Sequence, residues 1–263
     1  MRFRTLLVGV ALAAATNFSV FGQTHSIAFA AYFGGPIEVD PSIDLPENPT
    51  IEQLVKTGNK EIDRLGREDQ TLDANQDLKE YLSSLADKLL AAQNIRPPYP
   101  IQIHVSTKPE LNAYVDAGGQ MVFFNDMILQ ADNEAQLVAI LAHEMSHEIH
   151  NDYAFFWHAA KLGDDSYGKD GLLAESQSIE QRADTDATRM MYSAGWDPGE
   201  QLVMMQRLAK QWQRESGGHR TFYSTHPEDH DRLKVIENAI TSLPHKDGLV
   251  KDSSRFDEIK KSL

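Results

Sequence analysis

The chain has no cysteine in its 263 residues. Disulfides, a thiol nucleophile and thiolate metal ligands are therefore excluded, and any metal site must use nitrogen and oxygen donors. Positive charge is scarce as well. Lys and Arg number 25 against 39 Asp and Glu, a formal charge of −14. Nucleic-acid binders carry a basic footprint, so no nucleic-acid partner is expected. Long apolar runs are lacking too. Leu6 to Ala15 is short of the roughly 20 residues that span a bilayer, and no later stretch is long and apolar enough. No GxSxG motif suggests a serine hydrolase. What remains is ordinary for a globular chain, with 41% hydrophobic residues and 11 prolines. The length suits one domain with a real core.

The N-terminus is expected to be processed. Residues 1–22 have the form of a signal peptide. Arg2 and Arg4 precede the short apolar run, and a cut after Gly22 or, alternatively, after Ala30 obeys the small-residue pattern. The mature chain is then exported, to a periplasm or alternatively to the outside, without a transmembrane helix. Residues 31–49, rich in Pro, Gly and Asp, form an extended leader. Residues 50–243 form the folded domain, and 244–263 a C-terminal tail.

Within the domain, hydrophobic spacing predicts helices over 50–73 and 77–93, then a strand over 101–105. Residues 112–116 and 120–124 flank Ala117-Gly118-Gly119 as a hairpin. Asp132 is expected to cap a helix reaching His150. A long helix follows over 174–194, and Asp197-Pro198-Gly199-Glu200 opens another. Thr225-His226-Pro227-Glu228 starts a last helix with Leu233, Ile236, Ile240 and Leu243 on its apolar face. The fold class is α+β, mostly helical, with a small sheet beside the helix that carries the chemistry.

That helix contains His143-Glu144-Met145-Ser146-His147, an HExxH motif. Four residues on a helix are about 40° apart around the axis and about 6 Å along it. Both imidazoles can therefore reach one metal ion, and Glu144 can reach a water bound to it. His150 lies on the same face but is carried past the site, so it is not expected to be a ligand. A catalytic zinc needs a third protein ligand and an open position. Glu180 is the candidate, with Asp184 four residues on to accept the free ring N–H of a ligand histidine. Glu144, Glu180, Asp184 and also Glu148 thus have a reason to lie near a dication. Gly163 to Lys169 mimics a phosphate-binding loop, but Asp170 stands where Ser or Thr is needed and no strand precedes it. Residues 151–172 are expected to form a mobile loop over the cleft.

HExxH, a following helix with ExxxD, and Ser224-Thr225-His226-Pro227 in this order resemble the M48 family of zinc metallopeptidases. These are gluzincins, a group with membrane-anchored and soluble periplasmic members. Asn112-Ala113-Tyr114, then Gly118-Gly119 and Met121-Val122-Phe123-Phe124, are similar to that family's edge strand and Gly-Gly hairpin. The step from His147 to Glu180, 33 positions, is shorter than in many relatives. The resemblance implies a zincin-like domain with one Zn2+ held by His143, His147 and Glu180. It implies Glu144 as general base, His226 as oxyanion stabiliser or metal occluder, and Arg232 as support. Asn112, Ala113 and Tyr114 would bind substrate backbone. The implied activity is endoproteolysis of exported, extended or unfolded polypeptides, with envelope or outer-membrane assembly machinery as a partner. The alternative is a zinc-bound periplasmic chaperone or assembly factor with little or self-inhibited proteolysis.

Overall fold

A computed structural model describes residues 45–162 apart from residue 47, together with 169–214 and 231–263. The signal peptide, most of the leader, residues 163–168 and the Ser224–Pro227 segment, with His226, lie outside the described residues. The described elements run α1 Ile51–Glu68, α2 Gln76–Gln93, β1 Gln102–Ser106, β2 Ala113–Val115, β3 Gln120–Phe124 and α3 Asn125–Gln130. They continue as α4 Glu134–His150, α5 Asp152–Leu162, α6 Lys169–Ala194, α7 Gly199–Arg214, α8 Arg232–Ser242 and α9 Ser254–Ser262. The α+β expectation holds.

Helix starts follow local chemistry. Thr50 and Gln53 form a reciprocal capping box on α1, satisfying two backbone donors that the first turn leaves unpaired. Asn75 caps α2 by accepting from the Leu78 N–H. On α4 the cap is Asn133, whose side chain accepts from Gln136 N–H at 3.0 Å. The expected cap, Asp132, is instead paired with Arg207 of α7. An ion pair across helices outcompetes a cap when the next residue can cap equally well.

The sheet has the order β1-β3-β2, with β1 parallel and β2 antiparallel to β3. Its two margins differ. The outer side of β1 is covered by the segment after α1. Asp73 N–H donates to Val105 O at 2.7 Å, and Val105 N–H donates to the Asp73 carboxylate at 3.1 Å. No described strand pairs with the outer side of β2. Asn112 O and Asp116 N–H bond inward to Phe124 and Gln120. Alternation then turns the main-chain groups of Ala113 and Val115 outward. The turn between β2 and β3 is tight. Gly118 has φ 69°, and a Cβ there would lie 2.5 Å from Val55 Cα of α1, so only glycine fits.

α4 is buried on every side from Glu134 to Glu148, as its apolar run Leu137, Val138, Ile140, Leu141 and Ala142 dictates. It packs on α6, α7, α2 and β2. Residues 244–263, expected as a tail, belong to this core. Phe256 and Ile259 of α9 are buried in it. Lys251 O accepts from Ala135 N–H at 2.8 Å, and the Asp252 carboxylate accepts from Glu134 N–H at 3.1 Å. The last residues thus hold the first turn of α4. Glu134 itself accepts from Tyr81 Oη and Trp196 Nε1, each at 2.8 Å. α8 is not the final helix, and residues 152–162, expected as loop, form α5. A period of 3.6 in a short polar stretch such as α9 is easily read as solvated chain. Its two buried residues only declare themselves in the assembled core.

Truncation of a fully buried aromatic removes its transfer energy and leaves a cavity. Phe256→Ala is therefore expected to cost about 3–5 kcal/mol of stability. Urea denaturation checks this, and a loss below about 1 kcal/mol would show that α9 is not part of the cooperative core.

Candidate metal centre

α4 and α6 pack side by side and bring four predicted side chains together. His143 and His147 come from α4, Glu180 and Asp184 from α6. His143 Nε2 lies 3.2 Å from His147 Nε2. Glu180 Oε2 is 3.4 Å from His143 Nε2, and its Oε1 is 3.6 Å from His147 Nε2. His143, His147 and Glu180 form the one group of three among the described residues whose donor atoms could hold a metal ion. All three are buried.

The tautomers follow from the other ring nitrogen. His143 Nδ1 lies 3.0 Å from Asp184 Oδ1, and His147 Nδ1 lies 2.9 Å from Asp152 Oδ2. A carboxylate can only accept, so each Nδ1 carries the proton. In the neutral rings both Nε2 atoms are then lone pairs, aimed at each other and at a carboxylate. Such an arrangement is repulsive without a cation between the atoms. Donors about 2.0–2.1 Å from a tetrahedral zinc are about 3.3–3.4 Å apart. The three separations here, 3.2, 3.4 and 3.6 Å, bracket that value. The donor set fits a metal ion of the zinc type.

Arg232 of α8 holds the acidic side of the site. Its Nε and Nη2 form a fork on Asp184 at 2.7 and 2.8 Å, and Nη1 reaches Glu180 Oε2 at 3.1 Å. Burial raises the Asp184 carboxyl, but the Arg232 charge outweighs it and holds the group below its usual range. Burial likewise disfavours a charged His143 ring. Asp184 and Glu180 outweigh that, so in the metal-free site His143 is raised to about 9 and a proton takes the cation's place. Glu144 is fully buried beside these groups. Burial pushes its carboxyl up to about 8; His143 and Arg232 oppose the rise and Glu180 adds to it.

Other expected residues go elsewhere. Glu148 is turned away from the cluster, and its Oε2 accepts from Gly119 N–H at 3.1 Å. It ties the β2–β3 turn to α4, and burial raises its carboxyl well above the ordinary value. His150 is exposed and bonds to Asp186 at 2.9 Å, which also accepts from Ser146. This agrees with its exclusion as a ligand. Asn112 is buried and donates to Glu110, and the Tyr114 ring lies 6.2 Å from that of Phe124. Asp152 was not among the expected residues. Its signal is faint: an Asn-Asp pair directly after the helix, with Asn able to turn the chain back.

Removing Arg232 would leave two buried carboxylates with only the His143 ring to offset them. Arg232→Leu is expected to lose about 3–5 kcal/mol of stability in the metal-free protein. Added zinc should recover part of it, because a dication replaces the missing charge. Paired urea titrations with and without zinc check this, and equal stability of variant and wild type would contradict the ion-pair account.

The model of the family described as Peptidase family M48 matches residues 74–162, which include α4 with its HExxH motif. The Beta-barrel assembly-enhancing protease of Yersinia pestis is 25% identical over 198 residues, covering 64% of this chain and 40% of that protein. Its namesake in Escherichia coli (strain K12) is 25% identical over 195 residues, covering 63% and 39%. The Mitochondrial metalloendopeptidase OMA1 of Schizosaccharomyces pombe is 27% identical over 177 residues, covering 60% and 51%. The chain thus spans about two fifths to one half of the length of these relatives. By its motif helix and by these relatives, residues 74–162 of the chain match peptidase family M48, and the chain is similar to proteins named a protease and a metalloendopeptidase.

Proposed function

We propose that this protein is a zinc-dependent endopeptidase of an exported, periplasmic compartment, acting on extended or unfolded polypeptides. The observation that carries the reading is the convergence of two histidine Nε2 atoms and a carboxylate in a buried cluster. The relatives are named a protease and, in the case of OMA1, a metalloendopeptidase, which supports the same reading. Their words for β-barrel assembly motivate the proposal that envelope assembly machinery is a partner.

His143, His147 and Glu180 would hold the ion. Zinc, when bound, supplies Lewis acidity that lowers the pKa of a water and polarises a carbonyl. Glu144 follows the first ligand on the same buried helix. As a carboxylate it would accept a proton from the attacking water and return it to the leaving amine. Asp184 keeps the His143 ring in one tautomer, and Arg232 keeps Asp184 ionised. His226 would stabilise the oxyanion.

The substrate would lie along β2. Its outward main-chain groups at Ala113 and Val115 can add a strand to the sheet, with hydrogen bonds that do not depend on substrate side chains. Asn112 and Tyr114 would support that strand from within the hairpin. The covered side of β1 leaves β2 as the open margin among the described residues. Such pairing requires a substrate that is not already folded, which is why misassembled or unfolded exported chains are the proposed class.

The test is casein cleavage by the purified chain, with zinc content measured alongside. Glu144→Gln should keep one zinc and lose roughly 10²–10⁴-fold in activity, the usual worth of a general base. Chelation should abolish cleavage, and zinc should restore it. Full activity of Glu144→Gln with zinc bound would overturn the assignment. A zinc-loaded wild type that cleaves no unfolded protein would favour an assembly factor instead.

A further inference from the structure

We propose that Asp152 is a positioning residue for the metal centre, fixing His147 through its Nδ1. The proposal rests on the metal reading above. It goes beyond it in naming a residue outside HExxH and ExxxD on which the second histidine depends. The first histidine is served by Asp184, from another helix. The second is served by a residue only five positions further along the chain.

The backbone explains how this happens. α4 ends at His150, and Asn151 adopts the left-handed conformation at φ 56°, donating its N–H back toward Glu148 and His147 carbonyls. Asparagine tolerates this conformation better than most residues. The chain reverses, and α5 begins at once with Asp152 beside the ring it has just passed. Asp152 Oδ2 lies 2.9 Å from His147 Nδ1. Its other oxygen accepts from Arg182 Nη2 of α6. With one oxygen on the ring and the other on the guanidinium, the carboxylate cannot rotate away.

A merely structural ion pair between α5 and α6 is the competing explanation, and burial argues against it. Arg182 is 37% exposed while the Asp152 side chain is 6% exposed. A pair serving only to link two helices would leave the carboxylate as solvated as its partner, since burying a charge is costly. The burial is on the side of the imidazole. Asp152 and Asp184 thus make two supports of the same order, each running ring, carboxylate, guanidinium. One ends at the buried Arg232, the other at the half-exposed Arg182. Outer partners of ligating histidines typically contribute roughly 10–100-fold to metal affinity.

The experiment measures zinc affinity of the full chain by competition with a chromophoric chelator, for wild type, Asp152→Ala and Asp152→Asn. The absorption spectrum of each protein loaded with Co2+ is recorded alongside. Wild type should bind one zinc. Asp152→Ala should bind it roughly 10–100-fold more weakly, with an altered Co2+ spectrum. Asp152→Asn keeps an acceptor for Nδ1–H and should fall between the two. Zinc binding by Asp152→Ala equal to wild type would overturn the proposal and leave the metal reading intact. So would an unchanged Co2+ spectrum in a variant that has only lost stability. A wild type that binds no zinc would overturn the metal reading itself, and this proposal with it. If Asp152→Ala does not fold, Asp152→Asn decides alone: affinity and spectrum identical to wild type count against the proposal, and a weakened affinity with a shifted spectrum supports it.

Discussion

Two imidazoles present their Nε2 atoms to one another at 3.2 Å, with a carboxylate closing the triangle. Nothing in a protein interior favours that arrangement except a cation, and the rest of the domain is organised around making it tolerable. Each ring needs an acceptor behind it, so two aspartates must be buried. Each aspartate needs a guanidinium, so two arginines are drawn in. α4, α5, α6 and α8 are held in place by these contacts as much as by apolar packing. The acidic excess of the chain has a local meaning here. The buried site holds more acids than bases, a balance that a bound cation would offset.

The scaffold keeps this centre rigid from a distance. α4 is surrounded on all sides, and its first turn is gripped by Lys251, Asp252 and the Glu134 hub. Its last turn is gripped by Asn151 and Asp152. Glu148, in that last turn, holds the turn of the β2–β3 hairpin through Gly119. The strand margin proposed to receive substrate is therefore joined directly to the helix that carries the two histidines. A peptide paired along Ala113 and Val115 would be placed relative to the ligands by this single contact and the packing of β2 on α4.

Much of the centre was legible in the residues. HExxH and ExxxD are both four-residue spacings, and helical geometry alone converts such spacings into shared faces. His143, His147, Glu180 and Asp184 could be named for that reason. Glu148 could not be placed, because its neighbour in sequence is one of the converging histidines while its direction on the helix is different. Asp152 could not be found, because its role depends on one left-handed residue that reverses the chain. The cap at Asn133 rather than Asp132 turned on Arg207, which is distant in sequence and near only in the fold. α9 looked like a tail because two buried residues in a short charged stretch carry little periodic signal.

The residues by themselves determined the donor chemistry, the helices that present it and the family they resemble. Absence of cysteine left only nitrogen and oxygen ligands, and spacing along helices is a local property that needs no partner to be read. Tertiary structure alone decided which acid serves which histidine, which edge of the sheet stays open, and that the last residues brace the first turn of α4. Those choices rest on contacts between segments far apart in the chain, and such contacts are set by packing rather than by any local preference of the residues that make them.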